Sequence, residues 1–204
     1  MILGLLQSRG IFNRTLREVP SDYSISGLGV SDDPVIERRL VQKFRCVNTF
    51  LHQYPTLGLR NVREEYRSSC RFVICSDVLE HVPFPVETAL TGLYSLLNTN
   101  GTVVISVPHV LSGATKEFYP NLVEFEIRKR QVLWRDSNNQ IFTDTNPEFH
   151  GGDGLTLAFR LWSLEGLRES LLKANFSRVS FVSFDAERGV PPLGPGDAIV
   201  LAHR

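Results

Sequence analysis

The sequence predicts an α/β protein. Its expected form is a mostly parallel sheet layered with helices, closed by an antiparallel hairpin, with an insertion over the carboxyl edge of the sheet. Three observations carry this expectation. Residues 72–75, "FVIC", form a short apolar run of the kind found in strands buried on both faces, and "TVVISVP" (102–108) is a second, β-branched run. Between them Val86, Leu90, Leu93 and Leu97 recur at helical spacing, so strand, helix and strand make a βαβ unit with a right-handed crossover. Finally, "RVSFVSF" (178–184) and "DAIVLAHR" (197–204) read as strands joined by a loop rich in glycine and proline, the pattern of the closing hairpin.

The bulk numbers fit one domain over residues 1–204, with 1–22 as an N-terminal extension or remnant and 109–160 as the insertion. A composition of 42% hydrophobic and 22% charged residues is that of a soluble globular chain, and the zero formal net charge argues against a general nucleic-acid or anionic-membrane binder. The apolar cluster in "MILGLLQSRGIF" (1–12) is too short for membrane insertion and lacks the basic start of a signal peptide, so it reads as a core helix or strand. Cys46, Cys70 and Cys75 have neither CxxC nor metal-ligand spacing. The expectation is therefore a reducing, cytoplasmic setting without disulfides and without a metal.

The remaining elements follow in order. "YSISGLGVSD" (23–32) is a strand running out through glycines; Ser31, Asp32 or Asp33 caps the next helix, with Pro34 in its first turn. In "VIERRLVQKF" Val35, Ile36, Leu40, Val41 and Phe44 form the apolar face. "CVNTFL" (46–51) is a short strand, and 60–71 a solvated connection. After the βαβ unit, the aromatics Phe118, Tyr119, Phe125, Trp134, Phe142 and Phe149 suit a local core better than a sugar platform. Arg128-Lys129-Arg130 suits a solvated face. Ser163 is placed to cap a helix that buries Leu164, Leu167, Leu171 and Leu172.

Chemistry concentrates in "FVICSDVLEHVPFPVETAL" (72–90), where a strand stops at Ser76-Asp77 and two prolines delay the helix to about Val86. A strand feeding a polar loop ahead of a helix is where open α/β sheets bind ligands. This stretch, continued to Pro108, resembles the second half of a class I S-adenosylmethionine-dependent methyltransferase, whose strand ends in an Asp-Val-Leu-Glu-His-like motif before a helix and a further strand. "NTNG" (98–101) stands where that family has a lysine-proline-glycine-glycine turn. "GLGVSDDPVIERRLVQKFRCVNTFLHQYP" and "FHGGDGLTLAFRLWSLEGLRESLLKANF" extend the resemblance, toward a subset associated with glycan and polysaccharide biosynthesis, over roughly residues 23–204.

The resemblance implies a Rossmann-like sheet, S-adenosylmethionine as cofactor, and a small-molecule or saccharide acceptor. It places Asp77, Val78 and Leu79 on the cofactor, and Glu80 and His81 beside the acceptor. His81, with an imidazole pKa of roughly 6.5, is suited to take a proton from a hydroxyl. The alternative for this pair is to shape the loop. His109, at the end of the second strand, and His150, Gly151 and Asp153 in "FHGGDG" are candidate acceptor contacts, the alternative for the latter being a tight turn. For Asn48 and His52 the expected role is ordering a loop.

The family's glycine-rich cofactor turn has one counterpart here, "GLGVSD", which offers Gly27, Gly29, Ser31 and Asp32. Its distance from Asp77 suits the end of a second strand better than a first. In that register Gly29 replaces the acid that binds the ribose, and Gly58 replaces an acid on the adenine side. Three explanations stay open: a chain that continues upstream, an abbreviated first strand from "ILGLL", or lost cofactor binding. The functional alternatives are accordingly a methyltransferase, a non-catalytic interaction module on the same fold, and a dehydrogenase-like nucleotide-binding domain.

Overall fold

Apolar residues that alternate between two buried faces set the architecture. In the computed structural model, which describes residues 1–10, 15–150, 156–182 and 197–204, the order opens with α1 (Ile2–Ser8), β1 (Ser26–Val30), α2 (Pro34–Leu40) and β2 (Arg45–Thr49). It continues with β3 (Cys70–Ser76), α3 (Glu87–Leu96) and β4 (Leu97–Pro108). Short strands β5 (Lys116–Glu117), β6 (Leu122–Arg128), β7 (Gln131–Asp136) and β8 (Ile141–Asp144) follow, then β9 (Phe149–His150), β10 (Thr156–Leu157) and β11 (Arg160–Leu161). The chain closes with α4 (Leu164–Lys173), β12 (Arg178–Phe181) and β13 (Asp197–His203).

The main sheet has the order β12-β13-β4-β3-β1-β2. β2, β1, β3 and β4 are parallel; β13 runs antiparallel to both β4 and β12, as the closing hairpin requires. The continuous apolar run in β3 has a simple cause. Val73 and Cys75 enter the core shared with Leu90, Leu93, Leu167 and Leu171 of α3 and α4. Phe72 and Ile74 face the other way, into the core of Leu5 and Leu6 from α1 with Leu40 and Phe44. Each such fully buried side chain contributes roughly 1.5–3 kcal/mol. All three thiols are free, and burial pushes Cys46 up to about 12 and Cys70 to about 11.

Several expectations change in detail. "ILGLL" is a helix, not an abbreviated first strand, because Leu5 and Leu6 together seal the sheet face. In α2 and the turn after it, Leu40 and Phe44 are buried and Ile36 packs against them, while Val35 and Val41 stay exposed: a helix this short presents one narrow stripe. In α4 Leu172 is likewise exposed. Asp33, not Ser31 or Asp32, caps α2, accepting from Val35 N–H at 2.7 Å. "NTNG" does not stand outside the strand but forms an irregularity within β4, between the pairs Cys70/Leu97 and Phe72/Thr102.

Residues 109–160 leave the carboxyl end of β4 and build small antiparallel pairings: β6-β7-β8, β9 with β10, and β5 with β11. Tyr119, Leu122, Val132, Leu157 and Phe159 form their local core, and Tyr119 meets Trp134 and Phe159 edge-on at 5.8 and 5.9 Å. The aromatics are thus largely a packing unit. Arg128 pairs with Glu126 at 2.7 Å on the exposed face of β6.

Candidate active site

β1 lies at the turning point of the sheet. The chain leaves β1 for β2 on one side, while β3 pairs with β1 on the other. At such a switch point the connections diverge and leave a crevice beyond the carboxyl ends of the two strands. The ladder between them ends at Val30 and Cys75. Just beyond it, Ser31 (φ 51°) and Asp77 (φ 50°) both adopt the left-handed region, which disfavours side chains by about 1–2 kcal/mol. This placement corrects the register expected for "GLGVSD". The stretch forms β1, the first strand of the sheet in chain order, beside β3, and it is β2 that comes second and ends in Asn48-Thr49.

The glycines of β1 make room for the chain's own side chains. A Cβ at Gly27 would fall 2.1 Å from the Phe72 ring, and one at Gly29 would fall 2.6 Å from Asn48 Oδ1. Asn48, buried, uses that space to accept from Asp32 N–H at 3.0 Å and to donate to Asp32 C=O at 2.7 Å. Thr49 Oγ1 donates to Gly29 C=O at 2.7 Å, and Glu37 accepts from Asn48 N–H at 3.0 Å. Asn48 therefore orders the loop after β1. His52 is exposed.

Two carboxyls face this crevice from neighbouring tips. Asp32 is buried, and that burial pushes its carboxyl up to about 6, opposed by the hydrogen bond it accepts from Asp33 N–H. Asp77 is exposed; its Oδ1 accepts from Ser106 Oγ at 3.2 Å and its N–H donates to Ser106 C=O at 3.0 Å. Burial lowers the pKa of the Met1 ammonium, opposed by the Asp32 and then the Asp77 charge.

The Asp-Val-Leu-Glu-His motif then closes into a single 3-10 turn, Leu79–His81. Val78 is half-buried against the core and Leu79 fully within it. Glu80 is buried at 0% exposure, and neither of its carboxylate oxygens has a hydrogen-bond partner among the described residues. Burial foremost, and then the Asp77 charge, push its carboxyl up to about 7, with Arg160 pulling the other way. His81 places Nδ1 2.9 Å from Leu157 C=O and Nε2 3.7 Å from Glu80 Oε1. Since a carbonyl only accepts, Nδ1 carries the proton, leaving Nε2 basic in the neutral ring.

Arg160 locks this turn to the insertion. Buried at 1% exposure, it donates from Nη1 to Leu79 C=O at 2.9 Å and Val82 C=O at 2.6 Å, and from Nε to Glu117 at 2.7 Å. Phe159 N–H adds a bond to Glu80 C=O at 2.8 Å. Arg160 Nη2, Trp162 Nε1 and His109 Nδ1 are buried polar atoms without hydrogen-bond partners among the described residues, as are the Glu80 oxygens. Arg160 and Ser106 were not among the residues singled out from sequence. For Arg160 a signal existed: an arginine inside the apolar run "LAFRLW" must be buried with partners or break the strand.

The structure thus sets the tips carrying Ser31-Asp32 and Asp77-Val78 side by side, with Glu80 and His81 in the turn that follows the second, while Gly27, Gly29 and Leu79 are accounted for by packing. His109 follows β4 at the same edge, bridged to Trp162. Gly151 and Asp153 lie outside the described residues, and of His150 only the backbone, paired with Thr156, is described. Among the described residues no group of three or more potential ligands can hold a metal, and no helix is long and apolar enough to cross a membrane.

No protein-family model and no curated protein matches the chain. Solved structures do. Over 93% of this chain and 95% of its own, an S-adenosylmethionine-dependent methyltransferase from Mesorhizobium loti aligns with a TM-score of 0.55 at 14% identity. A 1,6-didemethyltoxoflavin-N1-methyltransferase from Burkholderia thailandensis, solved with S-adenosylhomocysteine, aligns over 100% of this chain and 79% of its own (TM-score 0.53, 14% identity). An amino pentose methyltransferase from Micromonospora echinaspora, solved with S-adenosylmethionine, aligns over 98% and 89% (TM-score 0.54, 12% identity). The chain has the Rossmann-like fold of S-adenosylmethionine-dependent methyltransferases.

Proposed function

We propose that this chain transfers a methyl group from S-adenosylmethionine to a hydroxyl of a small molecule or saccharide. The observation that carries the reading is the convergence, at the switch point between β1 and β3, of two acidic tips and a histidine whose basic nitrogen faces a buried carboxyl. The neighbours solved with this cofactor or its product, one of them an amino pentose methyltransferase, point the same way.

The donor set suits a cationic nucleoside in charge: Asp32 and Asp77 offer carboxylates to an ammonium or sulfonium centre, and Ser31 and Val78 flank them. The cofactor supplies an electrophilic methyl group when bound. This chain's residues do the rest. His81 Nε2 accepts the hydroxyl proton as the acceptor oxygen attacks, and Glu80 stabilises the resulting imidazolium from 3.7 Å. Arg160 keeps both residues in register by holding the carbonyls on either side of them, Leu79 and Val82.

A non-catalytic module on this fold is the second reading. It is favoured by one observation: the spaces above Gly27 and Gly29, which could cradle a ligand, hold Phe72 and Asn48 instead. Calorimetric titration of the folded chain with S-adenosylhomocysteine separates the two. Saturable binding weakened by Asp77→Asn supports the enzyme; a folded chain that takes up neither product nor S-adenosylmethionine is the module.

A further inference from the structure

The opposite edge of the sheet carries a second feature that the methyltransferase reading leaves unused. Here α1 ends, β3 and β4 begin, and the antiparallel β13 finishes beside the start of β12. Two adjoining hollows of about 250 and 450 Å³ open between these ends and share Ser8, Arg71, Asn100 and Thr102 in their walls. Arg9 lines the first, Arg178 and Arg204 the second. Four arginines therefore converge in a chain of zero formal net charge, and among the described residues no Asp or Glu side chain lines either hollow.

The arginines fall into two pairs by the company they keep. Arg71 is anchored by donation to Thr99 C=O at 2.6 Å, and Arg204 donates to Leu97 C=O and to Ser68 Oγ while stacking over Tyr94 at 4.7 Å. Arg9 and Arg178 are exposed and make no ion pair among the described residues, Arg178 reaching only His203 Nε2 at 3.4 Å. Like charges held this close repel: desolvation first and the Arg71 charge second lower the Arg9 guanidinium, with Asp22 opposing, and burial and then Arg178 lower His203. Asp22, whose charge opposes this at Arg9, lines neither hollow. A multiply charged anion relieves such repulsion, and planar guanidinium forks match phosphate oxygens.

We infer that this hollow binds the phosphate groups of a small phosphate or diphosphate ester. Arg9 and Arg178 clasp the anion from two sides, and Arg71 and Arg204 supply a fixed floor. A concave site of this size holds a phosphoryl group, whereas a nucleic-acid backbone needs an extended basic track. The site stands apart from the crevice at Asp77, so its fate does not depend on the methyltransferase reading.

The test is calorimetric titration of the full chain with sodium pyrophosphate in low-salt buffer, with wild type, Arg9→Gln/Arg178→Gln and Asp77→Asn compared. The expected result is saturable one-site binding, weakened at least about tenfold in the double variant and unchanged in Asp77→Asn. Circular dichroism checks that the double variant, altered at exposed positions, is folded. Absence of saturation by folded wild type, or equal affinity in the double variant, overturns the inference. A short duplex DNA that displaces pyrophosphate and binds more tightly would overturn it as well, in favour of a nucleic-acid surface.

Discussion

Asn48 grips the backbone of Asp32 from both sides, accepting from its N–H at 3.0 Å and donating to its carbonyl at 2.7 Å. That clamp fixes the loop after β1, and it exists only because Gly29 has no Cβ to occupy the space. Replacing Asn48 by Ala strands two buried backbone groups at about 1–3 kcal/mol each. Gly29→Ala forces a methyl to 2.6 Å from the amide oxygen and costs a similar ~1–3 kcal/mol. Because both changes break one contact, the double variant loses less than the sum. A cycle of urea midpoints that proved strictly additive would refute the clamp.

Arg160 makes a second prediction. Its Nη1 holds two carbonyls of the 72–90 motif, and its Nε pairs with Glu117. Arg160→Met leaves the buried Leu79 and Val82 carbonyls without their donor, which costs about 1–3 kcal/mol each, and frees the turn carrying Glu80 and His81. Arg160→Lys does not restore it, because one ammonium cannot reach acceptors spread across a planar fork. Thermal denaturation of both variants checks this; a Lys variant as stable as wild type would contradict it.

How far these features could be seen beforehand depends on the length scale of the interaction. The βαβ unit was legible because burial on both faces of β3 writes an uninterrupted apolar run, and α3 writes its spacing into Leu90 and Leu93. The position of β1 was not. Which strand neighbours which is decided by pairing across residues 30 and 75, and nothing local to "GLGVSD" encodes it. Gly29 illustrates the same limit: its smallness answers Asn48, a partner on the adjacent strand, and so resembled a ligand cradle when read alone. Arg160 meets Leu79 only through the fold, although its place among apolar residues hinted at a buried role.

The pH dependence follows from Glu80. Its carboxyl stands at about 7 against an ordinary 4.5, so the folded chain keeps this proton longer than the unfolded one. Its contribution to stability is therefore full below about 4.5, falls as pH rises to about 7, and is level above. The shift amounts to ~3 kcal/mol. Asp32, raised to about 6 from 3.8, adds the same sign over a lower window. Glu80→Gln should flatten the loss of stability seen by urea unfolding between about pH 4.5 and 7, the Glu80 window. If Glu80→Gln shows the wild-type slope, Glu80 is not the group responsible. Turnover should move oppositely, rising through about 7 as Glu80 ionises to support the His81 imidazolium.

Asp77 and His81 separate binding from chemistry. Asp77 is exposed, and Ser106 meets it at both backbone and side chain, so Asp77→Asn should leave stability within about 0.5 kcal/mol of wild type. Loss of its charge should weaken S-adenosylhomocysteine binding about tenfold, or about 1.4 kcal/mol. His81→Ala removes the proposed proton acceptor while leaving the crevice between β1 and β3 unchanged, so the same binding should persist as turnover falls by about 10²–10⁴. The two variants must differ in which measurement moves. Were His81→Ala to retain full turnover at every pH, the proton would leave by another route. Were Asp77→Asn to bind like wild type, the acidic tip of β3 would not be part of the cofactor's site.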